Sequence, residues 1–218
     1  MFIGHFAIAF GAKRWIASVS LGTLFLACQL ADLLWPNLVL MGLEVVEVDA
    51  GATAVTPLDF VSYPYSHSLV ALGLWAAVFA GVYLLLRQSA LSTAAVLGGV
   101  VLSHWLLDVV SHRPDIPVTL FGPMRLGLGM WHSVPLTIAV EGVLFALGVV
   151  VYARATRARN RIGSIALWAL VGFLVVVYFG NLLGPLPPNS AAVVWPAQAM
   201  WLLVAWGYWI DRHRKPRR

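Results

Sequence analysis

His104, Asp108 and His112 follow one another at intervals of four residues in Ser103-His104-Trp105-Leu106-Leu107-Asp108-Val109-Val110-Ser111-His112. On a helix that spacing stacks all three side chains along one face. A His-x-x-x-Asp pair is a natural chelating pair, because both side chains reach one point about a turn away. Three residues of similar chemistry lie in other apolar segments: Asp32 in Gln29-Leu30-Ala31-Asp32-Leu33, His67 in Ser66-His67-Ser68, and His5 in Gly4-His5-Phe6-Ala7. Three histidines and two aspartates brought together suit a divalent metal, zinc most simply. A metal of that kind makes water a nucleophile near neutral pH. Glu141, inside an apolar run, or Asp59 would orient that water or carry its proton.

Composition fixes the setting. Of 218 residues, 61% are hydrophobic and 11% charged, with a mean hydropathy of +0.85. Soluble domains carry about 25% charged residues, so this chain has too little polar surface to cover a globule. The expected class is an all-α, polytopic membrane protein. The lone Cys28 excludes an internal disulfide and any cysteine-rich zinc module. Ionisable groups inside membrane spans are costly and point to function by default, which sharpens the case for the residues above.

Six stretches approach the roughly 20 apolar residues that cross a bilayer: 16–40, 66–86, 91–112, 132–153, 163–184 and 193–210. A seventh, 2–12, has about half that length and ends at Lys13-Arg14. Its charge follows the apolar run, so it reads as a half-helix rather than a signal peptide. Such a segment must pack against protein or a cavity. Alternation of the spans puts twelve of the fourteen Lys and Arg residues on one side, leaving only Arg113 and Arg125 opposite. By the positive-inside rule the C-terminus is cytoplasmic. Residues 212–218 then form a basic tail near anionic headgroups. Nothing in that tail resembles a nucleic-acid reader.

The two longer loops, 41–65 and 113–131, fall on the outer side and are stiffened by proline. Counted at about 1.5 Å per residue, Asp108 stands roughly 30 Å above Arg87 and Asp32 about 27 Å above Arg14. Asp32, His67, His104 and Asp108 therefore meet in the outer half of the bilayer. His5 climbs only about 12 Å from Lys13, and joins them only if the first span starts deeper. His132 reads as interfacial. Ser66 and Ser68 have no acid beside them, so no serine nucleophile is expected. The plain alternative is a polar stripe that ties helices together by hydrogen bonds.

In this order the residues resemble a family of bacterial inner-membrane-bound metal-dependent hydrolases, one member of which is described as LexA-binding. That family carries a histidine near the N-terminus, Asp-x-Asp ahead of a proline, His-Arg-x-x-Thr-His-Ser, and His-x-x-x-Asp in a helix. His5, Asp32 with Pro36, His67 with Ser68, and His104 with Asp108 match, over roughly the first 115 residues. Leu34 stands in place of the second aspartate, and Ser62-Tyr63 in place of His-Arg. The resemblance implies metal ligation by His5, Asp32, His67, His104 and Asp108. With two positions missing, either one metal remains, with His112 or Glu141 substituting, or the site has lost its metal.

The expectation is one integral domain over 1–218 in a bacterial inner membrane. It is a hydrolase of a lipid or lipid-linked ester, amide or phosphate. Membrane lipids and a lipid-like substrate are its expected partners, and nucleic acid is not. The rivals are a small transporter or proton- or cation-conducting protein using the same His/Asp/Glu cluster, and a structural protein with an inactive remnant. Internal symmetry would favour transport, and the two halves show no convincing repeat.

Overall fold

The computed structural model describes residues 1–217; Arg218, the last residue of the expected tail, lies outside them. The chain folds as α1 (Ile3–Ala12), α2 (Leu21–Cys28), α3 (Leu30–Leu40), β1 (Val45–Val48), β2 (Leu58–Ser62), α4 (Pro64–His67), α5 (Leu69–Arg87) and α6 (Leu91–Ser111). There follow β3 (Ile116–Pro117), β4 (Arg125–Leu126), α7 (Val134–Ala155), β5 (Thr156–Ala158), α8 (Arg161–Leu183), α9 (Ala191–Ala197), α10 (Met200–Arg212) and β6 (Arg214–Pro216). It is an all-α polytopic membrane fold. By length and apolarity α5, α6, α7, α8 and the continuous run Ala191–Arg212 can each cross a bilayer. The pair α2 and α3, bent by 54°, is apolar enough to count with them either as a broken sixth span or as a re-entrant loop.

Two of the expected boundaries move. The first span starts at Leu21 rather than at residue 16, because residues 13–20 form a turn, partly exposed at Arg14, Trp15 and Ser18, at the foot of α1. It is then broken at Gln29 instead of running straight to residue 40. The break turns the Cys28 carbonyl toward His104, whose Nδ1 lies 2.8 Å away. A helix that starts higher and bends reaches less far, and this brings Asp32 down to the level of His5.

The half-helix α1 lies in the middle of the bundle, packed on α7, α2 and α6. Being too short to reach water at both ends, it needs protein partners for its free backbone groups. Glu141 of α7 supplies them at the N-terminus, where Oε2 accepts from the Phe2 (2.9 Å) and Gly4 (3.1 Å) N–H groups. Below, Phe6, Phe10, Phe25 and Phe145 meet edge to face. Gly148 lets α7 approach so closely that a Cβ there would stand 2.5 Å from the Ala7 carbonyl oxygen and 2.8 Å from its Cα.

At the C-terminal end of α1, Lys13 Nζ pairs with Asp211 (2.5 Å) and donates to the Val19 carbonyl (2.6 Å). Tyr152 Oη donates to the other Asp211 oxygen at 2.6 Å. The basic tail is in part an ordered element. Its residues 214–216 pair antiparallel with β5, and Arg214 is buried, donating to Thr156 Oγ1 and the Gly163 carbonyl, both at 3.0 Å. Unpaired strand edges and buried guanidinium donors both demand partners, and each supplies the other's.

Gly148→Val forces backbone against backbone. It is expected to cost about 1–3 kcal/mol, the usual range for overpacking. The readout is a lowered melting temperature in detergent, with Gly142→Val, at a position with open space around its Cα, as the control that melts near wild type.

Candidate metal centre

Four segments deliver the expected ligands to one place. α1 carries His5, α3 Asp32, α4 His67, and α6 both His104 and Asp108. His5, His67, His104 and Asp108 are buried and Asp32 is half-buried. His5 Nε2 lies 3.1 Å from Asp108 Oδ1, and His104 Nε2 3.1 Å from Asp108 Oδ2. His67 Nε2 lies 3.4 Å from Asp32 Oδ1, with His104 Nε2 at 3.7 Å from the same oxygen. The His5 and His104 rings stack at 3.7 Å, 2° from parallel. Two overlapping donor sets have the spacing of metal ligands: His5, His104 and Asp108, and Asp32, His67 and His104.

The far side of each ring decides what its near side offers. A carbonyl only accepts, so His104 Nδ1 carries the proton it donates to Cys28. Its Nε2 points at two carboxylates yet makes no hydrogen bond to either among the described residues. A neutral imidazole in that tautomer would set a lone pair against negative oxygens. A bound cation removes the conflict. His67 is fixed in the same way. Ser66 Oγ donates to Glu44 Oε2 and therefore accepts from His67 Nδ1, each at 2.6 Å. That leaves His67 Nε2 free toward Asp32. Orienting partners of this kind set tautomer and aim in metal sites. The donor set therefore fits a metal ion.

The remaining candidates are placed elsewhere. His112 lies at the rim, its Nε2 4.0 Å from Asp108 and its Nδ1 3.1 Å from Asp115. Glu141, the expected proton carrier, has Oε2 committed to the N-terminus of α1, which positions His5. Asp59 pairs with Arg113 in the outer loops, and His132 is exposed. The α-amino group of Met1 sits 2.5 Å from Asp108 Oδ1 and 3.1 Å from Ser111 Oγ.

The sequence reading missed Glu44. It is 1% exposed, and its Oε1 accepts from the Tyr65 and Ser66 N–H groups at 2.8 Å each. It thereby holds α4, whose last residue is His67. Nothing in its sequence neighbourhood marks it apart from Glu47 and Asp49; only the fold of the β1–β2 hairpin brings it beneath α4. Asp115, in the loop 113–131, is a second residue outside the expected site. Its Oδ1 accepts from Tyr63 Oη (3.0 Å) and faces His112, while its Oδ2 accepts from Arg113 Nε (3.1 Å). Burial works to raise the Asp115 pKa, but the hydrogen bonds from His112, Tyr63 and Arg113 outweigh it and hold the carboxyl below its usual range. Burial and Asp115 together push the Tyr63 hydroxyl up.

Comparison with family models, characterised proteins and solved structures finds no match.

Two outcomes are expected. Ser66→Ala or Glu44→Gln frees the His67 ring and weakens metal binding by about 10–100-fold, the usual effect of removing such a partner. Competition with a chromophoric chelator reads this, with helix content unchanged. A lowered Asp115 pKa means its stabilisation is complete above the unfolded value of about 3.9. It is lost as pH falls through the lower folded value. Hydrogen exchange in 113–126 should accelerate only below about pH 4, and in Asp115→Asn be fast at every pH.

Proposed function

We propose that this protein is a membrane-embedded, metal-dependent hydrolase acting on a lipid or lipid-linked ester, amide or phosphate in the outer half of the bilayer. The observation that carries the reading is His104 Nε2. It is buried and without a hydrogen bond, aimed at Asp32 and Asp108, with its tautomer fixed from behind by Cys28. A polar stripe meant only to join helices would satisfy that atom. His5, Asp32, His67, His104 and Asp108 hold the metal, zinc by preference, with His112 in reserve at the rim. The metal supplies Lewis acidity and a nucleophile at neutral pH. Asp32, the most exposed of the set, is the ligand a substrate would meet first. Glu44 and Ser66 aim His67, and Glu141 holds α1 and with it His5. The order of the matching motifs supports kinship with the bacterial inner-membrane hydrolases named above. It favours the same membrane, with the basic β5–β6 end in the cytoplasm.

Transport is the weaker reading. The outer cluster and the inner Lys13–Asp211–Tyr152 group are the two polar centres on the axis of α1. Between them lie Phe6, Phe10 and Phe25, all at most 1% exposed. A conducting path needs polar groups or water through that layer.

The test is hydrolysis of a panel of phospholipids and lipid-linked esters by protein in mixed vesicles. Turnover of at least one substrate should vanish on chelation, return with zinc, and fall to background in His104→Ala. A panel untouched by zinc-loaded protein would count against the reading.

A further inference from the structure

The two helices that follow the metal centre part company. α7 packs chiefly on α1, and α8 on α10. Between α7 and α8 runs a slot of 390 Å³ with walls from Ile3, Gly142, Phe145, Val150, Trp168 and Tyr178. We infer that this slot holds one acyl chain of a membrane phospholipid, extended from the outer leaflet toward the bilayer midplane beside the His/Asp cluster.

Four observations point to that occupant. First, the slot lies along spans of membrane length, and apart from the Tyr178 hydroxyl and the Trp168 indole N–H the side chains lining it are apolar. Nothing there would order water, and close packing calls for an apolar filler. Second, its size is wrong for protein. From Trp168 to Tyr178 the wall is about 15 Å long, and a helix of that length and about 10 Å width fills on the order of 1,200 Å³. A single extended chain fits where a helix does not. Third, its outer end carries a polar anchor. Tyr178 is 4% exposed, and its hydroxyl has no hydrogen-bond partner among the described residues. Buried tyrosine hydroxyls ordinarily find one, and an ester oxygen at the head of the chain would supply it. Fourth, the slot adjoins the centre. Ile3 lies between Phe2 and Gly4, whose N–H groups are held by Glu141, and Met1 touches Asp108. A chain in the slot thus brings its polar head to the side of the ligand cluster. That the head is the bond to be cut rests on the proposed function; occupation of the slot does not.

The experiment uses the full-length protein in vesicles of phosphatidylethanolamine and phosphatidylglycerol. A small fraction of the phosphatidylethanolamine carries a diazirine midway along one acyl chain. After irradiation, adducts are mapped by mass spectrometry, and metal content is measured on the same samples. Adducts should be several-fold more frequent in 138–150 and 168–179 than on the lipid-exposed face of α5 at Leu74, Val78 and Val82. A Cβ at Gly142 would meet nothing within 4 Å, so Gly142→Trp can fill the slot from within. It should lower slot adducts several-fold while the α5 adducts stay constant. Adducts spread evenly over α5, α7 and α8 in the wild type overturn the inference, whatever the variant does. So does slot labelling that persists undiminished in a folded Gly142→Trp protein. Slot labelling in protein that binds no metal upholds the inference and sinks the hydrolase. Metal without slot labelling does the reverse.

Discussion

Asp108 is a carboxylate, 2% exposed, in the apolar interior of a helical bundle. A charge so placed is tolerated only with close, well-directed partners. The surrounding fold can be read as the means of bringing those partners in. α1 dips into the bundle as a half-helix and presents His5. α6 places His104 one turn below. The kinked α2–α3 pair lowers Asp32 and turns a backbone carbonyl onto His104. The outer hairpin brings Glu44 beneath α4, and through Ser66 sets the ring of His67. Of these elements only α6 is a plain membrane-length helix.

The molecule is strongly asymmetric along its axis. One half holds the ionisable cluster beneath short strands tied by Asp59, Arg113, Asp115 and Tyr63. The middle is a layer of interlocked aromatic rings. The other end is closed by Lys13, Asp211 and Tyr152 and by the β5–β6 pair. Close backbone approach makes this compactness possible. Gly148 admits Ala7, and a Cβ on Gly207 would stand 2.9 Å from Gly22 Cα.

Much of this was legible in the sequence. Hydropathy located the spans to within a few residues, because a bilayer dictates both length and composition. The ligand cluster was legible for the same reason in reverse. His104 and Asp108 stand out against an apolar background, and their four-residue spacing fixes a common face. What escaped was whatever depends on chain geometry instead of composition. The break at Gln29 has no glycine or proline at that point, and Pro36 lies about two turns beyond it. Glu44 is one acid among several in a loop. Glu141 looked chemical because it is ionisable in mid-span. Its actual partners are backbone N–H groups, to which sequence patterns are blind. The docked tail escaped because five basic residues read as solvated charge until Arg214 is seen buried against Thr156 and Gly163.

The central claim is that this cluster holds a metal, and metal content by mass spectrometry on detergent-purified protein tests it most directly. The account predicts about one zinc or similar divalent ion per chain, lost in the His104→Ala/Asp108→Ala double variant. Metal-free wild type, even after reconstitution with zinc, would contradict it and leave the cluster as a proton relay or a polar tie between helices.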